Sequence, residues 1–226
     1  MAGRRAVKKE SLPEMIASDL RQRILSGELA EGEAIRQELL AQEYDVSRMP
    51  VREALKRLAA EGLLQWENNR GGSVVRHSLP EIAEIFDLRI LIEVDLLRRA
   101  IPVMTERDFD SCERLLARMD EAYETEDVST WGEYNSAYHM ALYAAADRRM
   151  SMEFLERLHL HSDRYVRIHL SVMEQREPAK EEHRKLLEFA RQGDASGGAT
   201  LLTRHIARAK SELLAMIERQ RLQSGD

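Results

Sequence analysis

The amino-acid sequence predicts a mainly α-helical protein with two domains, the first of which contains a small β-hairpin. Charged residues make up 33% of the 226 residues and aromatic residues only 5%, a composition typical of helical soluble proteins. Residues 37–58 contain two short helical patterns separated by a tight turn. After residue 78 the apolar spacing is helical throughout, with no strand pattern, repeat or low-complexity segment.

The first helix is predicted from about Pro13 to Ser26, with Ser11 as its cap and Gly27 at its end. Its apolar residues share one face: Leu12, Ile16, Leu20 and Ile24. Ile35 is then expected to start a short strand.

A helix-turn-helix is predicted at about residues 37–56. Its first helix is short and apolar, the Tyr44-Asp45-Val46 segment forms a tight turn, and a second helix begins at Ser47. On the second helix a basic residue recurs every four positions, at Arg48, Arg52 and Lys56, so these side chains share one face. The opposite face is apolar: Val51, Leu55 and Leu58. A helix that is cationic outside and apolar inside is suited to the major groove of DNA.

A β-hairpin should follow the second helix of this motif. Leu64–Glu67 and Ser73–Arg76 read as two short strands around an Asn- and Gly-rich turn at residues 68–72. A helix, a helix-turn-helix and a hairpin together make a winged helix, in which the hairpin is the wing.

The domain boundary is expected at residue 78. Ser78 and Glu81 have capping-box spacing, and Pro80 lies where a helix tolerates proline. We predict a flexible basic arm at 1–10, a winged helix-turn-helix at 11–78 and an antiparallel helical bundle at 79–226. The bundle should contain six or so helices, at about 80–101, 106–124, 129–146, 149–174, 179–192 and 195–221.

Charge is distributed unevenly between the two parts. The chain has a net charge of −6, but residues 1–78 carry 13 basic and 12 acidic side chains, so the acidity lies in the second part. That part need not approach phosphate, and local clusters matter more than the total charge.

The sequence disfavours a membrane or secreted protein. It has no apolar run long enough to span a bilayer, and the basic residues 1–9 are not followed by an apolar segment. A single cysteine, Cys112, cannot form an intramolecular disulfide, which fits a reducing cytoplasm. Cys112 is interpreted as a small packed residue.

Two sets of motifs resemble a known family. Residues 45–64 and Asn69-Arg70-Gly71-Gly72 resemble the DNA-binding domain of GntR-type bacterial transcription regulators, as do residues 24–29 and 32–35. The remainder resembles the effector-binding FCD domain of the FadR subfamily. Its marks are Leu88-Arg89 with Glu93, Asn135-x-x-Tyr138-His139, Glu182-His183, Gly193-Asp194 and Arg204-His205-Ile206. The resemblance covers nearly the whole chain beyond residue 10.

The resemblance implies which residues contact double-stranded operator DNA. These are Ser47, Arg48 and Arg52, with Asn69, Arg70 and Gly71 of the wing reaching the minor groove; Arg36 is a further candidate. Arginine is suited to bidentate reading of guanine, and a serine at a helix N-terminus can donate to phosphate. Many members have an arginine where this sequence has Glu38. Glu38 is therefore left out of the contacts, and the base preference is expected to differ from the common one.

The resemblance also implies a metal site formed by Asn135, His139, His183 and His205. Three neutral imidazoles and an oxygen suit a divalent ion such as Zn²⁺, or Ni²⁺ and similar ions, with open positions for a ligand. Many members have aspartate at the position of Asn135, and the uncharged amide should weaken binding. Taken singly, each histidine is more simply read as a hydrogen-bonded packing residue. His159, His161 and His169 are assigned to the surface or to pocket lining.

A metal with open positions would attract a small carboxylate effector. Arg89 is a candidate second anchor for it, because its planar fork matches a carboxylate. The equally weighted alternative is a surface salt bridge between Arg89 and Glu93 at i+4.

The leading hypothesis is a homodimeric, ligand-responsive transcription regulator that is not an enzyme. The alternatives are a metal-dependent, hydrolase-like enzyme that uses the three-histidine site and a purely architectural DNA-binding protein. The sequence designates no general base for a hydrolase. A bundle near 145 residues is more than architecture requires.

Overall fold

The chain folds into two compact units that divide between Arg76 and His77. A computed structural model describes residues 11–67, 71–125, 127–172 and 177–224. Within these residues, no helix combines the length and the apolar character that crossing a membrane requires.

The first unit has the predicted winged helix-turn-helix architecture. Its elements are α1 (Leu12–Ser26), β1 (Ala34–Arg36), α2 (Gln37–Glu43), α3 (Arg48–Ala60), β2 (Leu64–Glu67) and β3 (Gly71–Val74). Helix α1 packs on α3, and both contribute fully buried aliphatic side chains to the core, including Leu20 and Leu55. Leu12, at the start of α1, is exposed. The turn between α2 and α3 contains Asp45 with φ of +51°, a conformation that aspartate tolerates better than most residues.

The strands form an antiparallel sheet in the order β1-β3-β2. The prediction of a strand at Ser73–Arg76 was wrong by two residues, because β3 begins at Gly71 and pairs with strands on both sides. A Cβ atom at Gly71 would lie 1.9 Å from the carbonyl oxygen of Ile35, and one at Gly72 would lie 2.6 Å from that of Gln65. The glycines read as a turn signal are therefore the residues that allow close pairing on both sides.

The second unit contains six helices within the described residues: α4 (Leu79–Ala100), α5 (Glu106–Glu124), α6 (Val128–Tyr143), α7 (Arg149–Val172), α8 (Glu177–Arg191) and α9 (Ala195–Ser224). The predicted capping box forms at the start of α4, where the Ser78 amide donates to Glu81 Oε2 at 2.7 Å. Short 3-10 turns at Ile101–Val103 and Ala144–Ala146 follow α4 and α6.

Helix α4 is central to the second unit and packs against α6, α7 and α9. Its inner face is not purely apolar, because Arg89 and Glu93 are buried on the same stripe as Phe86 and Leu96. Cys112 is also buried, as predicted, and burial raises the pKa of its thiol to about 12. The core of the bundle therefore contains a polar interior.

Candidate functional site

The outer face of α3 carries the side chains predicted to contact DNA. Ser47 is the N-cap of α3, and its side chain makes no hydrogen bond to the helix, which leaves the hydroxyl for a phosphate oxygen. Arg48 and Arg52 are exposed on successive turns. The predicted inner stripe of Val51, Leu55 and Leu58 is fully buried.

A hollow of about 310 Å³ lies between the starts of α2 and α3. Its lining consists of Gln37, Glu38, Arg48, Met49 and Arg52. Arg48 Nη1 lies 3.1 Å from Glu38 Oε1. Glu38, which is not among the predicted DNA contacts, is therefore paired with Arg48, which is one of them.

Two of the other predicted DNA contacts, Arg36 and Gly71, lie in the sheet. Arg36 is the exposed last residue of β1 and pairs in register with Gly71 at the start of β3. Asn69 and Arg70 lie outside the described residues, and so does the basic arm predicted at 1–10.

Three histidines from three helices meet in the core of the second unit. His139 of α6, His183 of α8 and His205 of α9 are buried, and one ring nitrogen from each lies within 4.8 Å of the others. The ring centroids of His183 and His205 are 4.8 Å apart, and those of His139 and His183 are 5.2 Å apart. The structure thus brings together the histidines that the family resemblance selected.

Hydrogen bonds orient two of these rings, one through Tyr143 to Glu93 and the other directly to Glu182. Tyr143 donates its hydroxyl proton to Glu93 at 2.6 Å, so its oxygen accepts from His139 Nδ1 at 3.1 Å. His205 Nδ1 lies 2.8 Å from Glu182 Oε2 and donates to it. Both arrangements place the proton on Nδ1 and leave the Nε2 lone pair for a metal, a pattern common in metal sites.

Burial keeps the site chemically suited to a cation. It lowers the pKa of His139 and of His183 well below the usual value, so both rings are neutral at pH 7. Burial alone would raise the pKa of Glu182, but hydrogen bonds from His205 and Arg208 outweigh it and lower the pKa to about 2. Neutral imidazoles beside ionised carboxylates are the form in which these groups bind or support a metal.

The buried ring nitrogens of His183 indicate whether the three histidines fit a metal ion. Neither of its ring nitrogens has a hydrogen-bond partner among the described residues, although both are buried. Leaving a buried polar group without a partner costs about 1–3 kcal/mol. A divalent ion held by three imidazoles would provide a partner for one of these two nitrogens, so the donor set fits Zn²⁺ or Ni²⁺. Asn135, one turn before His139 on α6, is also buried.

Arg89 and Glu93 form the ion pair considered as an alternative for Arg89, but the pair is not on the surface. Arg89 Nε lies 2.7 Å from Glu93 Oε1, and the side chains are 7% and 0% exposed. Arg89 Nη1 also donates to Ser162 Oγ at 3.1 Å. Burial would raise the pKa of Glu93, but Arg89 and His159 outweigh it and hold the pKa well below its usual range.

His159 is a site residue whose contacts the sequence reading missed. It is buried, with Nε2 3.1 Å from Glu93 Oε1 and Nδ1 3.0 Å from Ser136 Oγ. His161 is half-buried against His77, and the side chain of His169 lies outside the described residues. A charged Glu93 on the apolar stripe of α4 was the signal that could have indicated a buried polar partner.

Comparisons with known proteins agree with both units. The family described as bacterial regulatory proteins, gntR family, matches residues 12–74, and the FCD domain matches residues 84–208. The uncharacterized HTH-type transcriptional regulator BphR of Paraburkholderia xenovorans (strain LB400) is 34% identical over 205 residues, which cover 87% of this chain and 82% of that protein.

Two further proteins show how far the similarity extends. The gluconate operon transcriptional repressor of Bacillus subtilis (strain 168) is 32% identical over 62% of this chain, a match that spans only 57% of the repressor. The solved structure of E. coli McbR/YncC has a TM-score of 0.80 at 22% identity and covers 92% of this chain and 99% of that one, so it shows the fold. The chain belongs to the GntR family of bacterial transcription regulators, with an N-terminal DNA-binding domain and a C-terminal FCD domain.

Proposed function

We propose that this protein is a homodimeric transcriptional repressor whose affinity for operator DNA is changed by a small carboxylate. The carboxylate would bind at or near a divalent metal held by Asn135, His139, His183 and His205. The observation that carries this proposal is His183, a buried neutral imidazole with no partner among the described residues. The repressor named among the relatives supports the direction of regulation.

The first unit would read the operator with α3. Arg48 and Arg52 are exposed on the face that enters the major groove, and Arg36 with the predicted wing residues Asn69, Arg70 and Gly71 would add contacts beside it. A dimer presents two such helices to half-sites about 34–36 Å apart, which implies a near-palindromic operator.

The second unit would hold the effector. The bound ion supplies open coordination positions for a carboxylate. The chain orients His139 through Tyr143 and Glu93, and His205 through Glu182. Arg89 uses Nε on Glu93 and Nη1 on Ser162, so its other N–H donors remain for a ligand.

The lowered pKa values of the carboxylates near the histidines argue against the hydrolase alternative. A general base acting near neutral pH needs a pKa close to 7. The carboxylates that orient the histidines have lowered pKa values, to about 2 for Glu182 and well below the usual range for Glu93. Neither carboxylate is suited to accept a proton from metal-bound water.

The test compares the full-length protein with His183→Ala. Elemental analysis after dialysis should find a divalent ion in the wild type and at least about tenfold less in the variant, while His161→Ala, a histidine of the same unit bound to His77, should retain it. A panel of small carboxylates is then titrated against each protein bound to an operator that the wild type has selected from a randomised duplex library. A carboxylate should release the wild type, and removing the ion should abolish that response. Equal metal content in wild type and His183→Ala would contradict the proposal.

A further inference from the structure

Glu38 places a carboxylate beside the two arginines that are expected to contact DNA. Its Oε1 lies 3.1 Å from Arg48 Nη1, and the side chains of Glu38 and Arg48 remain 47% and 70% exposed. Both line the hollow between α2 and α3 together with Arg52. An exposed ion pair adds little to folding stability, so the position of this pair on the recognition surface calls for another explanation.

The hydrogen-bonding groups on the base edges explain why an ion pair would lie on the recognition surface. Phosphates repel a carboxylate. In the major groove, however, a glutamate carboxylate can accept a hydrogen bond from the N4 amino group of cytosine. A G·C pair presents two acceptors, guanine N7 and O6, followed by that donor. The Arg48 fork beside a Glu38 oxygen presents the complementary order of two donors and an acceptor. An A·T pair presents an acceptor, a donor, an acceptor and a methyl group, which does not match.

We propose that Glu38 and Arg48 act as one unit that reads a G·C base pair in each operator half-site, with Glu38 as a specificity-determining residue. Arg48 binds the guanine, and Glu38 accepts from the paired cytosine. Glu38 also holds Arg48 away from phosphates, which weakens binding to unrelated DNA. This inference rests on the proposed operator binding.

The experiment first selects the preferred operator of the full-length wild-type protein from a randomised duplex library. Binding of wild type, Glu38→Gln and Arg48→Ala is then measured on that operator and on versions with each base pair replaced. Glu38→Gln should lose about tenfold of the preference for G·C over A·T at one position per half-site. Arg48→Ala should lose preference at the same position. On unrelated DNA, Glu38→Gln should show a slope of log affinity against log salt that is steeper by about one, because Arg48 is freed for a phosphate.

Glu43→Gln is the matched control. Glu43 is the last residue of α2 and pairs with Arg23 at 2.8 Å, so this substitution removes the same charge from the same helix at a different pair. It should leave the base preference unchanged. If Glu38→Gln retains the wild-type preference at every position, or loses it at a position that Arg48→Ala does not affect, the inference is overturned. If the wild type selects no defined sequence, the proposed operator binding itself fails.

Discussion

Two arginine–glutamate pairs have opposite surroundings in this protein. In the second unit, Arg89 and Glu93 meet at 2.7 Å in the core, where the pair is almost completely buried. In the first unit, Arg48 and Glu38 meet at 3.1 Å on the surface, where both side chains remain exposed to solvent. The same two residue types therefore form one pair in the core and one on the surface.

The buried pair cannot open without a large cost, because each charge would lose its partner in a medium of low polarity. It holds Glu93 in place for Tyr143 and His159, and through Tyr143 it orients His139. The exposed pair contributes about 0–1 kcal/mol and can exchange its partner for a base edge. A rigid pair suits positioning, whereas a pair that opens easily suits recognition.

The largest expected effect comes from breaking the buried pair. Arg89→Met should reduce the free energy of unfolding by about 3 kcal/mol, because it leaves the Glu93 charge buried without its cationic partner. Urea unfolding followed by circular dichroism measures the loss, and hydrogen exchange of peptides from α4 assigns it to the second unit.

The matched substitution in the first unit is Arg48→Met. It should change the unfolding free energy by no more than about 0.5 kcal/mol, as expected for an exposed side chain. Adding Glu93→Gln to Arg89→Met should recover part of the stability by removing the stranded charge. Equal losses for Arg89→Met and Arg48→Met would show that burial does not distinguish the pairs.

An intermediate effect is expected from Arg52→Ala on operator binding. Arg52 is exposed on the face of α3 that carries Arg48, and loss of a base-reading arginine costs about 1–3 kcal/mol, which is roughly 5- to 150-fold in affinity. Fluorescence anisotropy with the selected operator at one fixed salt concentration measures it.

The control for that measurement is Arg57→Ala. Arg57 lies on the same helix but pairs with Glu14 of α1 at 3.0 Å, so its loss should change operator affinity less than threefold, within the roughly 0.5 kcal/mol of an ordinary surface substitution. An Arg52→Ala variant that binds as tightly as the wild type would remove α3 from the proposed recognition surface.

The smallest effect is expected from Asn135→Asp in the second unit. The carboxylate adds a charged oxygen beside the three histidines and should raise metal affinity by about tenfold, in the range that ligand-shell substitutions produce. Competition with a calibrated chelator measures this affinity. The same affinity in Asn135→Asp, Asn135→Ala and wild type would show that residue 135 is not a ligand.

Much of the fold could be predicted because its signals are local. Each of these signals depends on residues within a few positions of one another. Examples are the four-residue recurrence of Arg48 and Arg52, the glycine after α1, and the capping box at Ser78. The predicted start of β3 at Ser73 was wrong for a different reason. Gly71 and Gly72 allow the backbones of Ile35 and Gln65 to come close, and Ile35 lies in a distant part of the chain.

The candidate metal site divides in the same way. Asn135 and His139 share a helical face by their spacing, but the meeting of His139 with His183 and His205 was implied only by the family motif. The roles of Glu93 and His159 were not predicted. They belong to α4 and α7, and nothing in either helix alone indicates that these two side chains touch.

Residue spacing sets which side chains share a face of each helix, where the helices begin, and which chemistry each face can offer. Which faces meet depends on the packing of the whole chain. That packing buried the Arg89–Glu93 pair, left the Arg48–Glu38 pair in solvent and gathered three histidines from three helices. The physical reason is that periodicity acts within one element, whereas partner choice and burial depend on how separate elements pack, and packing is a property of the whole fold.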